Sequence, residues 1–138
     1  MILDCVNTYI LIDPYLSDYA DRHCCTEAVQ WIRKYPAPID AGELDFIDYV
    51  LCTHDHYDHS DPYTLHTLAE VNPNAIFTAP EPIKNTLLSY GISPERMIGA
   101  VADTEITLDE CKMIPIPSAH EELHTDEYRC ADGSGQWA

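Results

Sequence analysis

The sequence predicts an α/β chain with helices packed on a sheet, and three observations carry that prediction. Apolar, β-branched runs of strand length recur along the chain. Amphipathic stretches of helical period separate them. A dense histidine–aspartate run directly follows the second strand, and ligand sites in α/β folds gather at the carboxyl ends of strands.

Residues 8 to 13, TYILID, are β-branched and aromatic and are closed by Asp13-Pro14, which reads as a short buried strand. A helical pattern is expected from Thr26, with Val29, Ile32 and Tyr35 on one face and Pro36 and Pro38 as the stop. A loop, PAPIDAGELD, leads to a second strand, FIDYVLCT, at residues 46 to 53, whose end is apolar enough to be buried on both faces. In SDPYTLHTLAEV, Ser60 or Asp61 can cap a helix, Pro62 suits its first turn, and Leu65, Leu68 and Ala69 supply an apolar face. Asn72-Pro73-Asn74 ends that helix, and AIFTA is a third strand. A helix over residues 81 to 90 is followed by Gly91, suited to a left-handed cap, with Ile92 as its apolar partner. Ser93-Pro94 opens one helical turn, and strands are expected at 105 to 108 and 111 to 116.

The run LCTHDHYDHSDP, residues 51 to 62, carries the chemistry. Written as His54-x-His56-x-Asp58-His59, it places positions 54, 56 and 58 on one side of an extended segment. Two imidazoles so spaced can share one metal ion, and Asp58 and His59 sit where the chain bends toward the helix. Imidazole and carboxylate ligands suit Zn²⁺, Mn²⁺ or Fe. A metal so held brings the pKa of water toward neutrality. The competing reading is a polar, histidine-rich loop; the position between a buried strand and a capped helix weighs against it.

Composition narrows the partners. The chain has 138 residues, enough for one domain, and 46% of them are hydrophobic, which sets it apart from disordered sequences. Its net charge is -17, so no nucleic-acid partner is expected, for want of a basic face. The same charge disfavours an anionic membrane, and no apolar stretch reaches the roughly 18 residues that span a bilayer. The six cysteines, irregularly spaced and without a visible signal peptide, are expected to be free thiols in a reducing cytoplasm.

THDHYDH after an apolar strand resembles the HxHxDH signature of the metallo-β-lactamase superfamily. ILIDPYLSD, SDPYTL, NPNAIFTAP and PSAHEE resemble the lactonase branch, typified by L-ascorbate-6-phosphate lactonase, from about residue 9 to about residue 128. The resemblance implies a four-layer αβ/βα sandwich of two similar halves, of which this chain carries the first half and the start of the second, as a single incomplete domain. It implies His54, His56 and His120 as ligands of a first divalent ion. Asp58 and His59 follow as ligands of a second, with Asp58 also orienting or deprotonating the attacking water. Asp13 matches a buried aspartate behind the metal loop; by itself it is a turn-forming Asp-Pro. His23, His66 and His124 match nothing and read as surface residues, and Glu121 and Glu122 as solvated charges.

The resemblance thus implies a cytoplasmic hydrolase, using one or two Mn or Zn ions on a small anionic substrate such as a phosphorylated sugar lactone. A nuclease of the same superfamily and a non-catalytic metal-binding protein are the alternatives. The family's opening strand, its later bridging aspartate and its last histidine find no match, and RCADGSGQWA resembles no part of the family. On that reading the chain is a fragment, holds at most one ion firmly, turns over poorly and self-associates, as a homo-oligomer or an aggregate.

Overall fold

The computed structural model describes residues 1–118 and the strand Gln136–Trp137. Its centre is a five-stranded sheet of β1 (Ile2–Asp4), β2 (Tyr9–Ile12), β3 (Tyr49–Leu51), β4 (Ile76–Pro80) and β5 (Met97–Ala100), in that spatial order. β1 is antiparallel to β2, and β2 to β5 run parallel, with Leu11 beside Val50 and Val50 beside Phe77. The α/β expectation is met. The missing opening strand is corrected, because Ile2–Asp4 pairs with Tyr9–Leu11 ahead of the predicted first strand.

Strand alternation divides the apolar residues between two cores. Leu11, Val50 and Phe77 face α2 (Pro62–Val71) and α3 (Lys84–Leu88), and pack with Leu65, Leu68, Ile83 and Leu87. Ile10 and Tyr49 face the opposite way and pack under the antiparallel hairpin of β6 (Ile106–Leu108) and β7 (Cys111–Met113), where Leu108 is the buried member. Burial on both faces explains why the parallel strands read as continuous apolar runs. Phe77 is fully buried in the middle of the sheet. Phe77→Ala is expected to lower the free energy of unfolding by about 3–5 kcal/mol, through lost burial and an unfilled cavity, as read by urea titration.

The local signals around α2 hold. Asp61 caps it, its side chain accepting from Tyr63 N, and Pro62 occupies the first turn. Gly91 has φ +94° as expected. A Cβ there would also lie 2.8 Å from His66 Nδ1, so the position requires glycine on two grounds. The helix expected over 81 to 90 is a 3₁₀ turn at Glu81–Ile83 running into α3. Two short strands, β8 (Pro117–Ser118) and β9 (Gln136–Trp137), pair antiparallel.

Two further expectations fail. The helix predicted from Thr26 is not formed; the helical turn lies earlier, at α1 (Tyr19–His23), and residues 26 to 35 follow an irregular path. Side-chain hydrogen bonds outcompete the helix there. Thr26 Oγ1 accepts from Val29 N, Asp21 accepts from Arg33 N, and Arg33 Nη2 donates to the carbonyls of Tyr15 and Ser17. Val29, Trp31, Ile32 and Tyr35, the supposed buried face and its neighbour, are exposed. The expectation of free thiols throughout is corrected as well, since Cys5 and Cys111 are joined by a disulfide that ties the β1–β2 turn to β7. Among the described residues no helix is long and apolar enough to cross a membrane.

Candidate metal centre

The predicted run emerges from the carboxyl end of β3. Cys52 still hydrogen-bonds to Thr78 O on β4, and Asp13 N donates to Leu51 O, so the ends of β2 and β3 are pinned together before the loop begins. The chain then turns tightly: His59 N and Ser60 N both donate to His56 O, at 2.9 and 2.8 Å. This turn swings His59 back over His54. The two rings lie 4.0 Å apart between centroids, and the His54 and His56 rings lie 4.6 Å apart. Three imidazoles separated along the chain are thereby brought to one place.

Asp13 organises two of them, His54 and His59. It sits just after β2 with φ +46°, a conformation uncommon for any residue with a Cβ, and held here by hydrogen bonds on both carboxylate oxygens. Oδ1 accepts from Thr53 N at 2.7 Å, and Oδ2 accepts from Thr53 Oγ1 at 2.8 Å. His59 Nδ1 lies 2.9 Å from the same Oδ2, and Thr53 Oγ1 lies 3.0 Å from His54 Nδ1. A carboxylate on one ring nitrogen of a histidine fixes the tautomer and turns the other nitrogen outward, as behind metal-ligating histidines generally. His59 Nε2 accordingly points toward Asp58, 3.6 Å from its Oδ2. Thr53 escaped the sequence reading. The only signal was its place between a buried strand and the first histidine, where a hydroxyl can bridge the two.

His54 is buried, at 6% exposure, while Asp58 is more than half exposed on the outer side of the loop. Burial first, then the His59 and His56 rings, push the His54 imidazole down to about 4. It is therefore neutral at physiological pH, the form that ligates a metal. Below about 6.5 the unfolded chain protonates this histidine and the folded chain does not. The contribution is full above that pH and is lost as pH falls toward 4. In chelator-treated protein the thermal midpoint is expected to decline over that window, and His54→Gln should flatten the decline.

The donor set fits a divalent ion in kind: a neutral imidazole, a second imidazole beside it, a third oriented by a carboxylate, and an exposed carboxylate. Among the described residues no group of three or more His, Cys, Asp or Glu side chains is drawn together closely enough to enclose one. His120, the expected third ligand of the first ion, lies outside the described residues, as do Glu121, Glu122, His124, Asp126 and Asp132. The histidines at positions 66 and 23, read as surface residues, sit apart from the cluster. His66 Nδ1 lies 3.0 Å from Tyr90 O, and His23 stacks on Tyr19 and lies 3.0 Å from the Tyr63 hydroxyl.

Residues 8–135 match the model of the beta-lactamase superfamily domain. The chain belongs to that superfamily. Among relatives of this beta-lactamase superfamily chain, an uncharacterized protein of Mycobacterium tuberculosis (strain H37Rv) is 29% identical over 111 residues, 80% of this chain and 29% of that protein. The N-acyl-phosphatidylethanolamine-hydrolyzing phospholipase D 1 of Caenorhabditis elegans is 26% identical over 110 residues, again 80% of this chain and 29% of that protein. The matched stretch thus spans less than a third of the length of these curated relatives. Neither is named a lactonase. Members of that superfamily are in general metal-dependent hydrolases.

Proposed function

We propose that this protein is a metal-dependent hydrolase of an ester bond, with a lactone as the first substrate class. The observation that carries the reading is the Asp13 carboxylate, which holds Thr53 and His59 directly, and His54 through Thr53, at the end of the parallel sheet beside His56. His54, His56 and His120 are the proposed ligands of a first ion, and Asp58 and His59 of a second. An ion there, Mn²⁺ or Zn²⁺, would supply the nucleophile by letting water ionise near neutral pH. Asp58, exposed beside His59 Nε2, would orient that water and accept its proton.

The phosphorylated form of the lactone has less support. A cavity of about 840 Å³ opens beside His56 and Asp58, and Arg33 is the one Arg or Lys among the described residues that line it. Its guanidinium is already held by two carbonyls and by the Tyr15 ring, 3.9 Å beneath it. A second reading, cleavage of a phosphodiester, is favoured by the name of the nematode relative. The test is hydrolysis of an uncharged lactone, a sugar-phosphate lactone and a phosphodiester by chelated and by metal-loaded protein. The expected result is metal-dependent opening of the uncharged lactone. Cleavage of the phosphodiester alone would replace the first reading by the second, and no turnover with metal bound would leave a metal-binding protein.

A further inference from the structure

We propose that the cavity beside His56 and Asp58 takes the apolar chain of an uncharged ester, and that Trp31 and Ile32 are the residues that select it. The proposal rests on the hydrolase reading above. Trp31 and Ile32 are 60% and 65% exposed, yet both line the 840 Å³ cavity, together with Tyr57 of the metal loop and Ala20 of α1. His56 and Asp58 line it as well, so the apolar wall adjoins the proposed reacting centre. Its volume lies within the range of sites that enclose small molecules, and those sites are walled mainly by apolar and aromatic side chains with a few polar groups at one end.

The wall is built in advance. Arg33 binds the carbonyls of Tyr15 and Ser17 and covers the Tyr15 ring, Asp21 accepts from Arg33 N, and Trp31 N donates to Cys25 Sγ at 3.1 Å. These contacts fix residues 30 to 33 against α1 without burying Trp31 or Ile32. A chain that leaves two large apolar residues in water, anchored by the residue next to them, presents a surface to a ligand. The charge of that ligand is limited too. Asp55 and Asp58 line the cavity, and Arg33, the one Arg or Lys among its described lining residues, spends its Nη2 on the protein's own carbonyls. An anionic chain is therefore opposed, and a neutral alkyl or acyl chain is favoured.

The test has a binding arm and a turnover arm. In the Trp137→Phe chain, treated with chelator, Trp31 is the remaining tryptophan, and its emission is followed on titration with butanol, hexanol and octanol. Full burial of a methylene is worth about fourfold in affinity, and this half-open wall is expected to give roughly twofold for each one added. In the turnover arm, kcat/KM of the metal-loaded chain for p-nitrophenyl esters from acetate to octanoate should climb with the same slope. Trp31→Ala should flatten that slope, whereas Tyr35→Ala, on the same segment but outside the cavity, should keep it. An unchanged slope in Trp31→Ala, or emission indifferent to octanol, overturns the proposal. So does displacement of octanol by inorganic phosphate, which assigns the wall to an anionic group. Emission that follows protein concentration instead of alcohol assigns it to a second copy of the chain and overturns it as well. If no ester of any length is cleaved while Trp31 still reports octanol with the expected slope, the hydrolase reading fails and the apolar site stands.

Discussion

Replacing His54 by alanine is expected to abolish tight binding of a divalent ion, weakening it by at least about 100-fold, the upper end of what loss of a mere orienting partner costs. His54 is the most enclosed of the three imidazoles, flanked by the other two rings and held neutral by burial. No neighbouring donor can move into its place, because Thr53 is tied to Asp13 and His59 is tied to the same carboxylate. His66→Ala is the control: that ring contacts Tyr90 O and Glu70, away from the cluster. Isothermal titration with Zn²⁺ and with Mn²⁺ on both variants decides the matter. Equal losses in the two variants would overturn the ligand assignment. The His54 variant should also remain folded, since the sheet core beneath it is built from Val50, Phe77 and the helix leucines.

What the sequence alone revealed, and what it hid, follows from where the stabilising contacts lie. β2, β3 and β4 were readable because their apolar runs are buried on both faces, so composition and burial coincide. The Asp61 cap and Gly91 were readable because each answers a local backbone demand. The stretch from Thr26 to Tyr35 misled because Val29, Ile32 and Tyr35 have helical spacing, yet its conformation is decided by distant partners: Asp21, and the carbonyls of Tyr15 and Ser17. Periodicity contains no information about such bonds. The same limit applies to the site. His54, His56, Asp58 and His59 declare themselves by spacing, but Asp13 lies 40 residues before Thr53 and 46 before His59, and only the parallel pairing of β2 with β3 brings it beneath them. Seen alone it is one more Asp-Pro turn.

Asp13→Asn should therefore cost metal affinity, although the side chain at this position is no ligand in the proposed set. Asparagine tolerates positive φ, so the backbone at φ +46° survives, which alanine would not allow without strain. The amide has one acceptor oxygen where the carboxylate has two. Whichever way it turns, at least one of the three contacts is lost. If its oxygen keeps Thr53 N, its nitrogen faces His59 Nδ1 and donates to it. His59 is then driven to the tautomer with a proton on Nε2, the nitrogen that points toward Asp58 and is the one left to ligate. If the amide flips, Thr53 N is left facing a donor and the end of β3 loosens. Either outcome is expected to weaken metal binding by about 10–100-fold, with little change in thermal midpoint in the first case and a lowered one in the second. The two are told apart by the His59 ring nitrogen shifts in NMR, which report the tautomer directly. Metal affinity equal to that of the unsubstituted chain would show that the Asp13 contact supports only the fold, and would remove the observation on which the hydrolase reading rests.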